Sequence, residues 1–150
     1  MATATAPDGT KHHSLIPVLV VADADAAVDF YRKAFGAQEV IRIPGPGGRT
    51  AHGQVRIGDT ILFVALQPDN RETYVSPGVL GGTTTAVYSY WEDCDAAFRK
   101  AVEAGAQAID EPVDLPWGDR VGLIRDPFGH LWSIASRKRA SQAVAADGRR

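Results

Sequence analysis

The chain lacks most of the features that mark specialised protein classes. Its single cysteine, Cys94, excludes an intrachain disulfide, and the polar opening Met1 to Lys11 has no apolar stretch of the kind a secretory leader needs. A reducing, cytoplasmic compartment is therefore expected. No apolar run is long enough to span a bilayer, so no membrane partner is expected. Positive charge is also thin: 16 Lys and Arg stand against 18 Asp and Glu, a net charge of −2, and basic residues gather only at Arg137-Lys138-Arg139 and Arg149-Arg150. No stripe of positive potential favours nucleic acid. The glycine-rich stretch Gly45-Pro46-Gly47-Gly48 is not followed by a helical pattern, which excludes a phosphate-binding loop.

What is present is an internal repeat. In the first half, the apolar run Leu15 to Val21 is followed by Asp23-Ala24-Asp25-Ala26-Ala27 and by Ala27, Phe30, Tyr31, Ala34 and Phe35 at helical spacing, closed by Gly36. In the second, Thr83 to Trp91 leads to Asp93-Cys94-Asp95-Ala96-Ala97, then Phe98, Ala101 and Val102, closed near Gly105. Three strands follow each helix by pattern, at 38–43, 50–57 and 60–66 and again at 106–113, 119–125 and 130–135. Each half reads βαβββ, and 150 residues with 45% apolar content suit one domain. We expect a flexible segment over residues 1–11 and a single domain over 12–137. Within it, module one covers about 14–67, a Pro- and Gly-rich linker 68–82, and module two about 83–136, with a flexible basic tail over 138–150.

The Asp23 to Tyr31 segment, Pro116-Trp117-Gly118-Asp119-Arg120 and the turn Asp126-Pro127-Phe128-Gly129-His130, in this order within paired βαβββ modules, resemble the vicinal oxygen chelate superfamily. This is the fold of glyoxalase I, bleomycin-binding resistance proteins, fosfomycin-modifying enzymes and extradiol dioxygenases. Ile16-Pro17-Val18-Leu19 with Pro116-Trp117-Gly118 is most similar to the bleomycin-resistance and PhnB-like branches. The resemblance implies an α+β fold in which two tandem modules form a cup-shaped mixed sheet with helices outside. It also implies a homodimer whose modules complete each cup, and a metal held by His, Gln or Glu side chains on the first and last strands of each module.

At those positions the chain departs from the pattern. The first-strand places fall on Ile16 and Ala86, and the last-strand places on Ser133 and on Leu62, or on Val64 with a shifted register. Gln67 alone cannot hold a cation. No metal and no other cofactor are therefore expected.

Strand alternation then assigns faces. Ala51, Val55 and Ile57 should pack on the helix, leaving Thr50, His52, Gln54 and Arg56 for the cup, joined by Tyr88 and Tyr90, by Ser133, by Trp117 and by Arg120. Such a cup suits a small organic ligand, apolar or aromatic, and its arginines favour a neutral or anionic one. The expected function is sequestration or carriage of such a compound without a metal. The alternatives are a cofactor-free lyase, isomerase or hydrolase using His52 with Arg120, and a metal-dependent glyoxalase- or dioxygenase-type enzyme with displaced ligands. Cys94, flanked by two aspartates that oppose its ionisation, is read as structural.

Overall fold

A computed structural model describes residues 4–70 and 72–138. Module one runs β1 (Val18–Val21), α1 (Ala24–Phe35), β2 (Gln38–Pro44), β3 (Thr50–Ile57) and β4 (Thr60–Leu66). A four-residue helical turn, α2 (Pro77–Leu80), lies in the linker. Module two runs β5 (Ala86–Tyr90), α3 (Cys94–Glu103), β6 (Gln107–Asp114), β7 (Asp119–Arg125) and β8 (Leu131–Arg137). The fold is α+β with two four-stranded mixed sheets, ordered β1-β4-β3-β2 and β5-β8-β7-β6. In each, the first strand lies parallel to the last and the remaining pairs are antiparallel. The longer expected runs at Leu15 and Thr83 shorten because only their second halves find a parallel partner. Among the described residues no helix is long and apolar enough to cross a membrane.

The two long helices start and stop for local reasons. Asp23 and Asp93 each accept a hydrogen bond from the backbone N–H three residues on, at 3.0 Å, satisfying one of the free amides of the first turn. Gly36 ends α1 in the left-handed conformation at φ 63°, so the chain turns directly into β2.

One core joins both modules. Tyr31 and Phe35 of α1 meet Trp132 of β8, with ring centroids 5.5 and 4.5 Å apart, and Phe128 packs against Phe30 and Tyr31. The Asp126 turn ties the halves together by hydrogen bonds. Asp126 is buried and accepts from the Tyr31 hydroxyl at 2.7 Å, from the Trp132 indole at 3.0 Å, and from the backbone N–H groups of Phe128 and His130 at 2.9 Å. The turn that first suggested the architecture is thus also its joint. Burial, followed by the neighbouring Asp126, pushes the Tyr31 hydroxyl well above its ordinary range, so it remains a donor. His130 is buried with Nε2 2.8 Å from the Val20 carbonyl oxygen, which pins the same turn to β1.

Candidate functional site

The inner, helix-facing side of each sheet is set by a glycine. A Cβ on Gly53 would stand 2.9 Å from Val28 Cγ2 of α1, and one on Gly122 would stand 2.7 Å from the Phe98 ring of α3. Helix and strand approach closely at both places, and alternation from them fixes which side chains face outward.

In module one, His52, Gln54 and Arg56 do share the concave side, opposite Ala65, Phe63 and Ile61 of β4. His52 stands edge-on to the Phe63 ring at 4.9 Å, and Gln54 Nε2 lies 3.2 Å from His52 Nε2. An amide donor there needs a lone pair on the ring nitrogen, which favours neutral imidazole; burial acts in the same direction and lowers the His52 pKa. Thr50 does not join this row. Its backbone N–H and its hydroxyl both donate to Asp25 at the start of α1, because the β2–β3 register breaks between Ile43 and Pro44 and disturbs the alternation.

This face is covered by the chain itself. Residues 4–12, which overlap the segment 1–11 expected to be flexible, form a small turn lying on sheet one: Ala6 is buried, Asp8 pairs with Arg56, and the His12 ring meets Phe63 edge-on at 5.7 Å. The signal for it was Pro7-Asp8-Gly9, a turn sequence in which Gly9 takes φ 84°.

In module two no segment among the described residues covers the concave side. Tyr88, Tyr90 and Trp117 are 47%, 58% and 62% exposed, while Asp119 beside them is buried. The two hydroxyls donate to Asp119 Oδ2 at 3.0 and 2.8 Å, and the rings lie 5.4 Å apart. Arg137 Nε approaches Asp119 Oδ1 to 2.8 Å, close enough to neutralise it but off the angle of a hydrogen bond. Burial alone would raise the Asp119 pKa; the tyrosine hydroxyls, Arg137 and the Trp117 indole outweigh it and hold the carboxyl below the usual carboxylate range. Partial desolvation and the hydrogen bond to that carboxylate push the Tyr88 hydroxyl up to about 12.

The expected place of Arg120 in this cup is taken by its neighbour. With Gly122 under Phe98, Arg120 shares the helix side, where Nε and an Nη donate to Asp95 at 2.7 and 2.9 Å and the other Nη to Asp114 at 3.3 Å. These carboxylates raise its pKa further. Asp119 faces the cup instead, a one-residue change of face. His52 and Arg120 therefore lie in different modules and on opposite sides of their sheets, and the chain does not bring them together. Ser133 does face the cup, opposite Tyr88 across the β5–β8 pair. Cys94 is buried and donates to the Ile134 carbonyl at 3.1 Å; burial raises its pKa, as a structural thiol requires.

The family model described as the glyoxalase/bleomycin resistance protein/dioxygenase superfamily matches residues 7–134. The chain belongs to this superfamily. Relatives include an uncharacterised Mycobacterium bovis protein, 43% identical over 123 residues covering 81% of each chain. An anthracycline biosynthesis protein, DauV of Streptomyces sp. strain C5, is 45% identical over 136 residues, covering 87% of this chain and 43% of that longer protein. Among solved structures, TioX from Micromonospora sp. ML1 superposes with a TM-score of 0.67 at 29% identity, covering 83% of this chain and 98% of TioX.

The residues at the superfamily's metal positions do not fit a metal. With the caps Asp23 and Asp93 taken as equivalent, the registers Val18 to Phe63 and Tyr88 to Ser133 correspond, so the module-one counterpart of Ser133 is Phe63. Leu62 and Val64, the places expected from sequence, point into the core. Ile16, Ala86, Phe63 and Ser133 offer one hydroxyl between them. Gln67 is used elsewhere, its amide oxygen accepting from the Ser76 backbone N–H at 2.8 Å. Among the described residues no three His, Cys, Asp or Glu side chains gather as a metal site.

Proposed function

We propose that this superfamily member is a metal-independent small-molecule-binding protein. It takes a planar aromatic compound on the concave side of module two, with a second copy of the chain completing the cup, and acts by sequestration or carriage in the cytoplasm. The observation that carries the proposal is the set of three large aromatic side chains, Tyr88, Tyr90 and Trp117, exposed around the buried Asp119. Tyrosines held by a carboxylate cannot turn inward, so their faces stay presented to solvent and preorganised for a flat ligand. A cleft of about 560 Å³ runs along β5 beside the β3–β4 turn of module one; it touches Tyr88 and Tyr90 but is otherwise lined by inner-side residues such as Val87 and Trp132, and not by Trp117 or Asp119. The anthracycline biosynthesis relative supports an aromatic ligand. The placement of Arg120 and Asp119 shifts the preference on this face from anionic towards neutral compounds.

The test is calorimetric titration with 2-naphthol, alongside a measurement of molar mass in solution. One site per chain on a dimer is expected, weakened roughly tenfold by Tyr90→Ala through loss of an aromatic contact. A monomer would remove the shared cup, and binding indifferent to Tyr90 would remove the face.

A further inference from the structure

We propose that residues 4–12 are a built-in competitor for an aromatic carboxylate: Asp8 holds the place of the ligand's carboxylate at Arg56, and the His12 ring holds the place of its aromatic body at Phe63. This rests on the small-molecule reading above but assigns a second subsite, on module one, with its own ligand chemistry. The strap offers a carboxylate and a flat ring four residues apart, and sheet one receives them with a guanidinium and a ring edge. Its backbone bonds close on itself, from Ala6 to Thr10, Gly9 to Ala6 and His12 to Ala4. Among the described residues none runs to the sheet, so the strap can leave without opening a strand ladder.

The fit under the strap is incomplete. Among the described residues Gln54 Oε1, Arg56 Nε and His12 Nε2 are buried without hydrogen-bond partners. Gln54 is itself only 9% exposed. Buried polar atoms are nearly always paired, and leaving them unpaired is costly. A face that buries two polar atoms unpaired, under a cover that leaves its own His12 Nε2 unpaired as well, is shaped for an occupant with more polar atoms than Asp8 supplies. An aromatic acid with a second polar substituent can accept from Arg56 Nε as well as its terminal nitrogens and donate to Gln54 Oε1, which the strap does not do.

The experiment compares 2-naphthoate with 2-naphthol on the full chain, on Asp8→Asn, on Arg56→Gln and on a chain lacking residues 1–12. It reads affinity and the amide exchange of Ala6, Gly9 and His12. Addition of 2-naphthoate is expected to speed exchange at those amides, since an isolated turn of this size does not persist in water. Asp8→Asn and the truncation are expected to tighten 2-naphthoate roughly fivefold to tenfold, the factor by which a competing closed state reduces apparent affinity. Arg56→Gln should abolish the preference for the acid, and 2-naphthol should leave the strap amides unchanged. Strap exchange unaltered at saturating 2-naphthoate overturns the proposal, as does an equal effect of the Asp8 and Arg56 changes on both probes. If 2-naphthol fails to bind while 2-naphthoate releases the strap, the module-two reading falls and this one stands; the converse pattern removes only this one.

Discussion

Where module one carries Val18 and Val20 on its first strand, module two carries Tyr88 and Tyr90. Where module one sets His52 and Gln54 on its third strand, module two sets Val121 and Leu123. The inner faces tell the opposite story: Gly53 and Gly122 both sit beneath a helix, Val64 and Ile134 both fill the core, and Asp23 and Asp93 both cap. Each module thus keeps the residues that hold helix to sheet and differs in those that face away. One concave face is polar and covered by the chain's own strap; the other is aromatic and has no cover among the described residues. Binding chemistry is free to vary on the outward side because packing density does not constrain it there.

Separating the two modules should have the largest effect. Trp132→Ala empties the space between α1 and β8, and Asp126→Ala leaves the Tyr31 and Trp132 donors unpaired. Each is expected to cost about 3–5 kcal/mol and to lower the urea midpoint accordingly. A loss below about 1 kcal/mol would mean that the modules do not depend on this joint. The glycine pair gives a finer test. Gly53→Ala and Gly122→Ala should each cost about 1–3 kcal/mol by overpacking. Gly122→Ala should be the worse, since its Cβ would meet Phe98 and, at 3.0 Å, Pro112, whereas at Gly53 only Val28 lies that near.

A smaller effect separates the faces by pH. Burial lowers the His52 pKa, so as pH falls the unfolded chain takes up that proton first. Stability is fully present above about pH 6.5 and declines as pH drops towards the lowered folded value. The loss should be under about 1 kcal/mol, given partial solvent screening. His52→Val, which gives module one the residue of module two, should remove that component from a denaturation series between about pH 7 and 5. An unchanged pH slope would place the titration elsewhere.

The repeat, the caps, the helix faces and the order of strands were all readable from residues, because periodicity and turn chemistry are local. Faces on β3 were readable too, since Val55 and Ile57 mark the inner side. On β7 the same reasoning placed Arg120 in the cup. The close approach of Gly122 to Phe98 decides the face instead, and an ion pair with Asp95 satisfies the arginine. The equivalence of Gly122 with Gly53 carried that information within the repeat. Phe63 was missed by one residue because the parallel β1–β4 register is set by tertiary pairing. The strap was signalled by Pro7-Asp8-Gly9, but its seat on Arg56 is a long-range contact that no local pattern encodes.

Binding of a neutral planar compound to the aromatic face of module two is best checked by mapping backbone amide shifts while titrating 2-naphthol. Saturable shifts are expected over residues 86–90, 117–121 and 133–135, with the strap at 4–12 and the polar row at 52–56 unmoved. Shifts centred on that polar row, or on the outer surfaces of α1 and α3, would contradict it.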